Sequence, residues 1–366
     1  MSESVIAPLP KGRIQYVDAL RGFTMLLVVF AHVETFGLFN FEYETFVGRL
    51  FQSFRMPLFF FISGFVAYKP DREWNLNTCW TLTKKKIVIQ IIPTLAIGAV
   101  YTYAYLQSDM RSFISDPAKL GYWFPFVLLE MFVLYYAVSA VSYTVGKKWI
   151  SIPKPVISSV SLIFLALVMY LLKLPFKIVP VLDTIGNFTS LHYTFNYFMY
   201  FVFGVLARQY SDRFETIIEN KYVSAAVILL FAGVFFFYNF RNVSVDDMFL
   251  KEKVILTMLE SIIGFLGVVV VYSFFRKYSD SFDGGTKLGS SLQYIGRRTL
   301  DIYLLHYFFL PFLPEAGDFL RQSHNVVLEL LIGLCLSVLI VVVCLCVSNV
   351  IRLSPFLGKY LFGAKE

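Results

Sequence analysis

Charged residues are scarce in this chain. Of its 366 residues only 16% are Asp, Glu, Lys or Arg, while 57% are hydrophobic. Soluble domains carry about 25% charged residues, so this chain has too few to cover a surface that faces water. The shortage of charge excludes an ordinary soluble protein. Long apolar runs predict instead an all-α polytopic membrane protein, because about 20 apolar residues span a bilayer as a helix.

Cysteine is scarce as well. The four cysteines are Cys79, Cys335, Cys344 and Cys346, and their spacing gives neither a disulfide framework nor a zinc site. Three of them fall within one apolar segment, where small packing residues are expected. We therefore expect no bound metal, and we also expect no bound cofactor. No Ser or Cys stands out as a nucleophile.

About ten spanning helices are predicted, with both termini cytoplasmic. Of the 32 Lys and Arg residues, 19 fall in the segments that this topology places inside and nine in those outside, as the positive-inside rule requires. This distribution explains the net charge of +7 without a nucleic-acid partner, and Lys84–Lys86 is its strongest anchor. The predicted spans are 16–39, 50–68, 87–106, 121–145, 156–172, 193–209, 222–239, 252–275, 288–310 and 325–351.

Span one carries three polar residues where charge is costly in a membrane. Eleven positions at 100° each place Arg21 and His32 on one helix face, about 16 Å apart along the axis. Asp18 precedes Arg21 by three residues, within reach of an ion pair. Gly22 would let another helix approach closely. These residues predict a polar stripe that faces the protein interior.

Three other spans carry polar residues in their predicted outer halves. Arg55 lies in span two, at a depth that could match His32. Glu130 lies seven residues after Trp123 in span four, surrounded by apolar and aromatic residues. Glu260 in span eight is a second candidate acid.

Span nine reads Ile295-Gly296-Arg297-Arg298-Thr299-Leu300-Asp301 and continues to His306. Asp301 follows the two arginines by four and three residues, a spacing that predicts ion pairs within the helix. His306 lies further along the same span, and its role is open.

At these residues the chain resembles the acyltransferase-3 family of bacterial membrane O-acyltransferases, which includes fucose 4-O-acetylase-like enzymes. The resemblance rests on four ordered motifs that cover most of the chain. Its motifs are Asp18–Gly22 with His32, the run Met56-Pro57-Leu58-Phe59-Phe60-Phe61-Ile62-Ser63-Gly64-Phe65, Trp123-Phe124 with Glu130, and Leu300–His306. Arg55 departs from the pattern, because His is often found at that position.

The resemblance implies acyl transfer from cytoplasmic acetyl-CoA, or another acyl-CoA co-substrate, to a hydroxyl of an extracytoplasmic sugar. It also implies that Arg21 and His32 are needed for activity. In physical terms, Arg21 could meet a donor phosphate, and His32 could act as the general base. Glu130 could orient its imidazole, and a covalent acyl-histidine is an alternative. The predicted substrate-binding residues are Asp18, Arg21, Arg55, Trp123, Glu260, Arg298 and His306.

The expected protein is a single acyltransferase-3-like transmembrane domain over residues 1–366, multi-pass in the cell inner or plasma membrane. Its expected partners are the lipid bilayer, acyl-CoA and a carbohydrate acceptor. A transporter or flippase for glycan or lipid is the alternative, although no internal repeat supports it. A receptor or scaffold would leave the polar stripe of span one unexplained. The acyl group, the acceptor sugar and the oligomeric state stay open at the level of sequence.

Overall fold

The computed structural model describes residues 14–40, 45–70, 72–148, 153–240 and 250–363. Within these ranges every regular element is helical. The helices are α1 (Gln15–His32), α2 (Phe46–Ala67), α3 (Leu76–Lys86), α4 (Ile92–Val100), α5 (Met110–Ser115), α6 (Phe124–Lys148), α7 (Lys154–Ile178), α8 (Pro180–Thr189), α9 (Leu191–Gln209), α10 (Ser211–Glu219), α11 (Lys221–Asn239), α12 (Leu250–Lys277), α13 (Lys287–Arg297), α14 (Thr299–Leu305), α15 (Pro314–Ser323), α16 (Val326–Ile351) and α17 (Pro355–Phe362). Three π-helical turns interrupt or extend them, at Val33–Gly37, Ile87–Ile91 and Tyr101–Tyr105.

Eight helical stretches in the described ranges are long and apolar enough to cross a membrane. They coincide with predicted spans one to five, seven, eight and ten. Predicted span six is the continuous helix α9. The structure therefore confirms an all-α polytopic membrane protein. The total of ten spans and the cytoplasmic termini remain predictions, and residues 1–13 and 364–366 lie outside the described ranges.

Predicted span nine is not one continuous helix, and that expectation is wrong. α13 ends at Arg297 and α14 begins at Thr299, because Arg298 leaves the helical conformation with φ −114° and ψ 18°. A 3-10 turn, His306–Phe309, follows α14. Broken helices at membrane depth are tolerated where they line a cavity or are buried in protein. The break thus marks this part of the bundle as an interior site.

The connection between predicted spans five and six also differs from expectation. The sequence of Leu174–His192, which contains Pro175 and Pro180, predicts a segment that leaves the membrane or re-enters it. α7 instead continues to Ile178, and the short helix α8 then leads into α9. The excursion is therefore shorter and more helical than its two prolines indicated.

Glycines bring two pairs of helices into backbone contact. A Cβ atom on Gly22 of α1 would lie 2.0 Å from the carbonyl oxygen of Leu292 in α13, and one on Gly296 would lie 1.9 Å from that of Asp18. Gly64 and Gly204 make the same reciprocal contact between α2 and α9. The predicted role of Gly22 is confirmed. Small residues allow this close packing in membranes, and it fixes α1 against the broken helix α13–α14.

Candidate active site

Two histidines that are far apart in the chain meet where α1 ends. His32 is the last residue of α1 and is followed by a π-helical turn, while His306 begins the 3-10 turn after α14. Their ring planes are within 11° of parallel, and Nδ1 of His32 lies 2.6 Å from Nε2 of His306. His306 is fully buried, and His32 keeps a partly exposed edge. The sequence predicts His32 as the base and His306 as a substrate-binding residue, and it gives no sign of their contact.

A backbone hydrogen bond determines which ring nitrogen of each neutral histidine carries its proton. Nδ1 of His306 lies 3.1 Å from the carbonyl oxygen of Ile302. A carbonyl oxygen can only accept, so His306 is protonated on Nδ1 and accepts at Nε2. His32 must then donate from Nδ1, which leaves the lone pair on its Nε2. The Nε2 atom of His32 is therefore the basic atom of the pair.

Tyr307 is a polar neighbour of that basic atom. Its hydroxyl oxygen lies 3.3 Å from Nε2 of His32 and 3.3 Å from the carbonyl oxygen of Gly121, to which Tyr303 also donates at 2.7 Å. Tyr307 has one proton to donate. When Gly121 accepts it, the lone pair of His32 stays open to a substrate hydroxyl. Gly121 has φ +100°, and a Cβ there would lie 2.3 Å from the Tyr307 hydroxyl oxygen, so this turn requires glycine.

Arg55 and Trp123 belong to the surroundings of the histidine pair. The positive charge of Arg55 is close enough to act on both His32 and Tyr307. Trp123 stacks on Tyr193 with ring centroids 4.2 Å apart. The next residue, Phe124, donates its backbone N–H to the Tyr303 hydroxyl at 3.3 Å. Trp123 is thereby joined to the site through the start of α6.

The predicted contact between Glu130 and His32 is wrong. The Glu130 carboxylate accepts a hydrogen bond from the Thr194 hydroxyl on α9, whereas the two ring nitrogens of His32 face His306 and Tyr307. The reason is depth, since α6 begins at Phe124, already beside Tyr303. Six residues of helical rise carry Glu130 about 9 Å further along the axis. A catalytic role for Glu130 remains only a sequence-based prediction.

Asp301 is paired, but with only one of the two arginines expected. Its carboxylate lies 3.2 Å from Nη1 of Arg298 and 2.8 Å from Nη2 of Arg352, and it accepts the Ser348 hydroxyl at 2.5 Å. Arg297 instead lines a cavity. The helix break explains this outcome, because residues across it no longer keep the i to i+4 spacing of one helix. Arg298 is therefore held in an ion pair with the buried carboxylate of Asp301.

A basic cavity of about 780 Å³ lies on the side of the bundle where α1 begins. We call it the inner cavity. Its basic lining residues are Arg21, Lys86, Arg297 and Arg352. At its far wall stands Tyr303, whose ring centroid is 5.8 Å from that of His306. The cavity therefore leads from Arg21 to within one side chain of the histidine pair.

Two predicted substrate-binding residues are not among those that line the inner cavity. Asp18 is buried where α1 contacts Gly296 of α13. Glu260 lines a separate cavity of about 400 Å³ at the other side of α2, together with Asn196, Tyr197 and Tyr200. The structure does not bring either residue to the histidine pair. Their assignment as substrate ligands remains a prediction.

Lys119, for which the sequence predicts no role, shapes the loop that carries Gly121. Its ammonium donates to the carbonyl oxygens of Ile114, Asp116 and Asn187 at 2.9, 2.9 and 3.0 Å. Burial lowers the pKa of Lys119, and the charges of Asp116 and Glu130 oppose that shift. Three accepted N–H bonds use the whole donor capacity of a lysine. A lysine in a polar loop gives no sequence signal for such a role.

Comparison with known proteins agrees with this architecture. The model of the acyltransferase domain family matches residues 14–348. The chain is 24% identical over 398 residues to glucans biosynthesis protein C of Salmonella paratyphi B, and 23% identical over 396 residues to that of Salmonella schwarzengrund. Each alignment covers 98% of this chain and 97% of the relative. No solved structure matches. The chain belongs to the acyltransferase-3 family and is a multi-pass membrane acyltransferase.

Proposed function

We propose that this protein is an O-acyltransferase that moves an acetyl group from cytoplasmic acetyl-CoA to a hydroxyl of an extracytoplasmic or lipid-linked cell-surface polysaccharide. One observation carries the proposal: the hydrogen bonds from His32 through His306 to Ile302 leave Nε2 of His32 as a base. The relatives named for glucans biosynthesis support a glucan as the acceptor class.

His32 takes the proton of the acceptor hydroxyl on Nε2 as the sugar oxygen attacks the thioester carbon. The resulting imidazolium donates from Nδ1 to Nε2 of His306, which lies 2.6 Å away. The positive charge of Arg55, which acts on His32, would stabilise negative charge on the carbonyl oxygen of the tetrahedral intermediate. The C–S bond then breaks, and the departing thiolate takes the proton from His32.

The inner cavity supplies the path for the donor. Arg21 and Lys86 line it at the end of the bundle where α1 begins, and Tyr303 closes the opposite end next to His306. Arg21 and His32 are separated by about 16 Å of helix axis. An elongated thioester with phosphate at one end suits this spacing, because Arg forms charge-assisted bonds to phosphate.

Direct transfer is the simpler route for this geometry, and an acyl-histidine is the alternative. In the alternative, Nε2 of His32 attacks the thioester itself and the sugar hydroxyl attacks the acyl-imidazole. Rapid acid quench of the enzyme with labelled acetyl-CoA and no acceptor distinguishes them. Label on the protein supports the covalent route. Absence of label, in a sample that turns over once acceptor is added, supports direct transfer.

The test uses full-length protein in liposomes with labelled acetyl-CoA outside and a glucan acceptor inside, and the opposite arrangement as a second sample. Release of free CoA with equimolar labelled glucan is the expected result. Because both orientations occur in liposomes, protease protection assigns the active fraction to one of them. Glucan movement across the membrane without CoA release would support the transporter or flippase alternative and reject the enzyme.

A further inference from the structure

The inner cavity continues beyond Lys86 into two smaller chambers. The first, about 290 Å³, shares six lining residues with it: Arg21, Ser63, Lys86, Ile89, Gln90 and Leu128. This middle chamber shares Lys69 and Arg72 with the second, also about 290 Å³, which we call the outer chamber. The shared lining residues make the three spaces neighbours in a row that starts below the histidine pair.

The path beyond the inner cavity is strongly basic. Lys69, Arg72 and Lys85 line the middle chamber, and Lys154 joins Lys69 and Arg72 in the outer chamber. Glu73 is the only acidic residue that lines either chamber in the described part of the chain. Lys84, the neighbour of Lys85, lines neither. The basic residues therefore do more than mark topology, since several of them line the same pair of open clefts.

The outer chamber adds aromatic surface to this charge. Trp74 lines it and packs against Tyr135 with ring centroids 5.4 Å apart, and the Arg72 guanidinium lies 5.5 Å from the Trp74 ring centre. Tyr143 lines the opposite part, with the ammonium of Lys154 at 5.1 Å from its ring centre. Aromatic rings with nearby cations are the usual surface for a nucleobase beside its phosphates.

Two buried polar atoms on the path have no hydrogen-bond partner in the described structure. They are Oε1 of Gln90, which lines the inner and middle chambers, and Oγ of Ser142, which lines the outer chamber. Buried polar atoms are nearly always satisfied. Each of these atoms is therefore left to bond with a polar group in the chambers, either water or a ligand that displaces it.

We propose that the outer chamber binds the nucleotide end of the acyl donor, and this inference rests on the proposed function. The diphosphate lies in the middle chamber near Arg21 and Lys85, and the phosphorylated ribose and purine lie in the outer chamber near Arg72 and Trp74. The thioester arm then enters the inner cavity past Lys86, whose Nζ lies 3.7 Å above the Phe132 ring. Recognition of the nucleotide makes acyl-CoA a better donor than a thioester with the pantetheine arm alone.

The experiment uses the full chain in nanodiscs of neutral lipid. Binding of 3′,5′-ADP is measured by calorimetry, and the ratio of kcat/KM for acetyl-CoA to that for acetyl-pantetheine is measured on the same samples. Arg72→Gln and Lys154→Gln are the test variants, and Lys84→Gln is the matched control. We expect 3′,5′-ADP to bind and both test variants to lower affinity and ratio by at least about tenfold, as loss of a charged contact does. The control should keep both wild-type values.

The outcomes separate this inference from the proposed function. If neither acetyl-CoA nor acetyl-pantetheine supports acyl transfer, the proposed function is rejected. Binding of 3′,5′-ADP then still decides whether the outer chamber holds a nucleotide. Active enzyme with an unchanged donor ratio in Arg72→Gln and Lys154→Gln overturns the inference alone. Failure of 3′,5′-ADP to bind also overturns it. Displacement of CoA by an added anionic lipid, to the same extent in wild type and in Arg72→Gln, would also overturn the inference, because the basic residues would then bind lipid rather than the nucleotide.

Discussion

His32 and His306 are separated by 274 residues in the chain, yet their Nδ1 and Nε2 atoms lie 2.6 Å apart. Two local irregularities produce this contact. A π-helical turn begins directly after His32, and the helix break at Arg298 precedes His306. π-helical turns are frequent at functional sites. The pair gives His32 a neutral hydrogen-bond acceptor in the position where a catalytic triad has a carboxylate.

The first prediction is that His306 is a positioning residue for His32. His306→Phe keeps the ring volume but removes the acceptor for Nδ1 of His32, so kcat should fall about 10²-fold with a smaller change in donor KM. His306→Gln should recover part of the loss, because its amide oxygen can accept from Nδ1. Steady-state kinetics of purified protein measure both.

His324 provides the control for that prediction. It is exposed at the end of α15, with φ +47°, and His324→Asn suits that backbone conformation. Its activity should equal that of wild type. Equal activity of His306→Phe and wild type would mean that the contact between the two histidines does not serve catalysis.

The second prediction concerns Glu130, which the structure places on Thr194. Glu130→Gln keeps an oxygen acceptor for the Thr194 hydroxyl, whereas Glu130→Leu leaves that hydroxyl unpaired and should lower the free energy of unfolding by about 1–3 kcal/mol. Thermal unfolding in detergent measures this difference. Combined with His306→Phe, the activity loss of Glu130→Gln should multiply, because the two sites are separate. If the double variant is as active as His306→Phe alone, the predicted catalytic partnership between Glu130 and His32 would be supported after all.

The third prediction is that Arg21 binds the donor. Arg21→Ala should raise the KM for acetyl-CoA by at least about tenfold, since a charge-assisted bond to phosphate is lost. Arg21→Lys should recover only part of this loss, because Lys offers a point charge in place of a planar fork. An unchanged donor KM in well-expressed Arg21→Ala protein contradicts the assignment.

The fourth prediction is the orientation in the membrane. A reporter fused after Glu366 should be cytoplasmic, and one inserted within 107–120 should be external, because the basic residues favour that arrangement. Protease accessibility in spheroplasts checks both fusions. Signals on the same side would mean that the number of spans between them is wrong by one or another odd number.

Much of the fold follows from the sequence because apolar length and basic loops are local signals. The face shared by Arg21 and His32 follows from helix periodicity, and the role of Gly22 follows from residue size. Other features needed contacts that no local pattern contains. The partner of His32 lies beyond a helix break at Arg298, in a segment apolar enough to read as one span. The depth of Glu130 depended on where α6 begins.

The basic residues that line the inner cavity and the two chambers show the same limit of prediction from sequence. Lys84, Lys85 and Lys86 are equivalent in sequence, and the positive-inside rule explains all three. Only the fold separates them, with Lys86 lining the inner cavity, Lys85 the middle chamber and Lys84 neither. Likewise, the three carbonyl acceptors of Lys119 come from two segments of the chain. Packing between distant segments, rather than residue type, assigns these roles.

The central claim is that Nε2 of His32 is the base for acyl transfer. Its most direct measurement is the single-turnover rate of acetyl transfer to glucan by His32→Gln, with membrane insertion and acetyl-CoA binding verified on the same sample. The account predicts normal insertion and binding with a rate about 10²–10⁴-fold below wild type. A rate within threefold of wild type would contradict it.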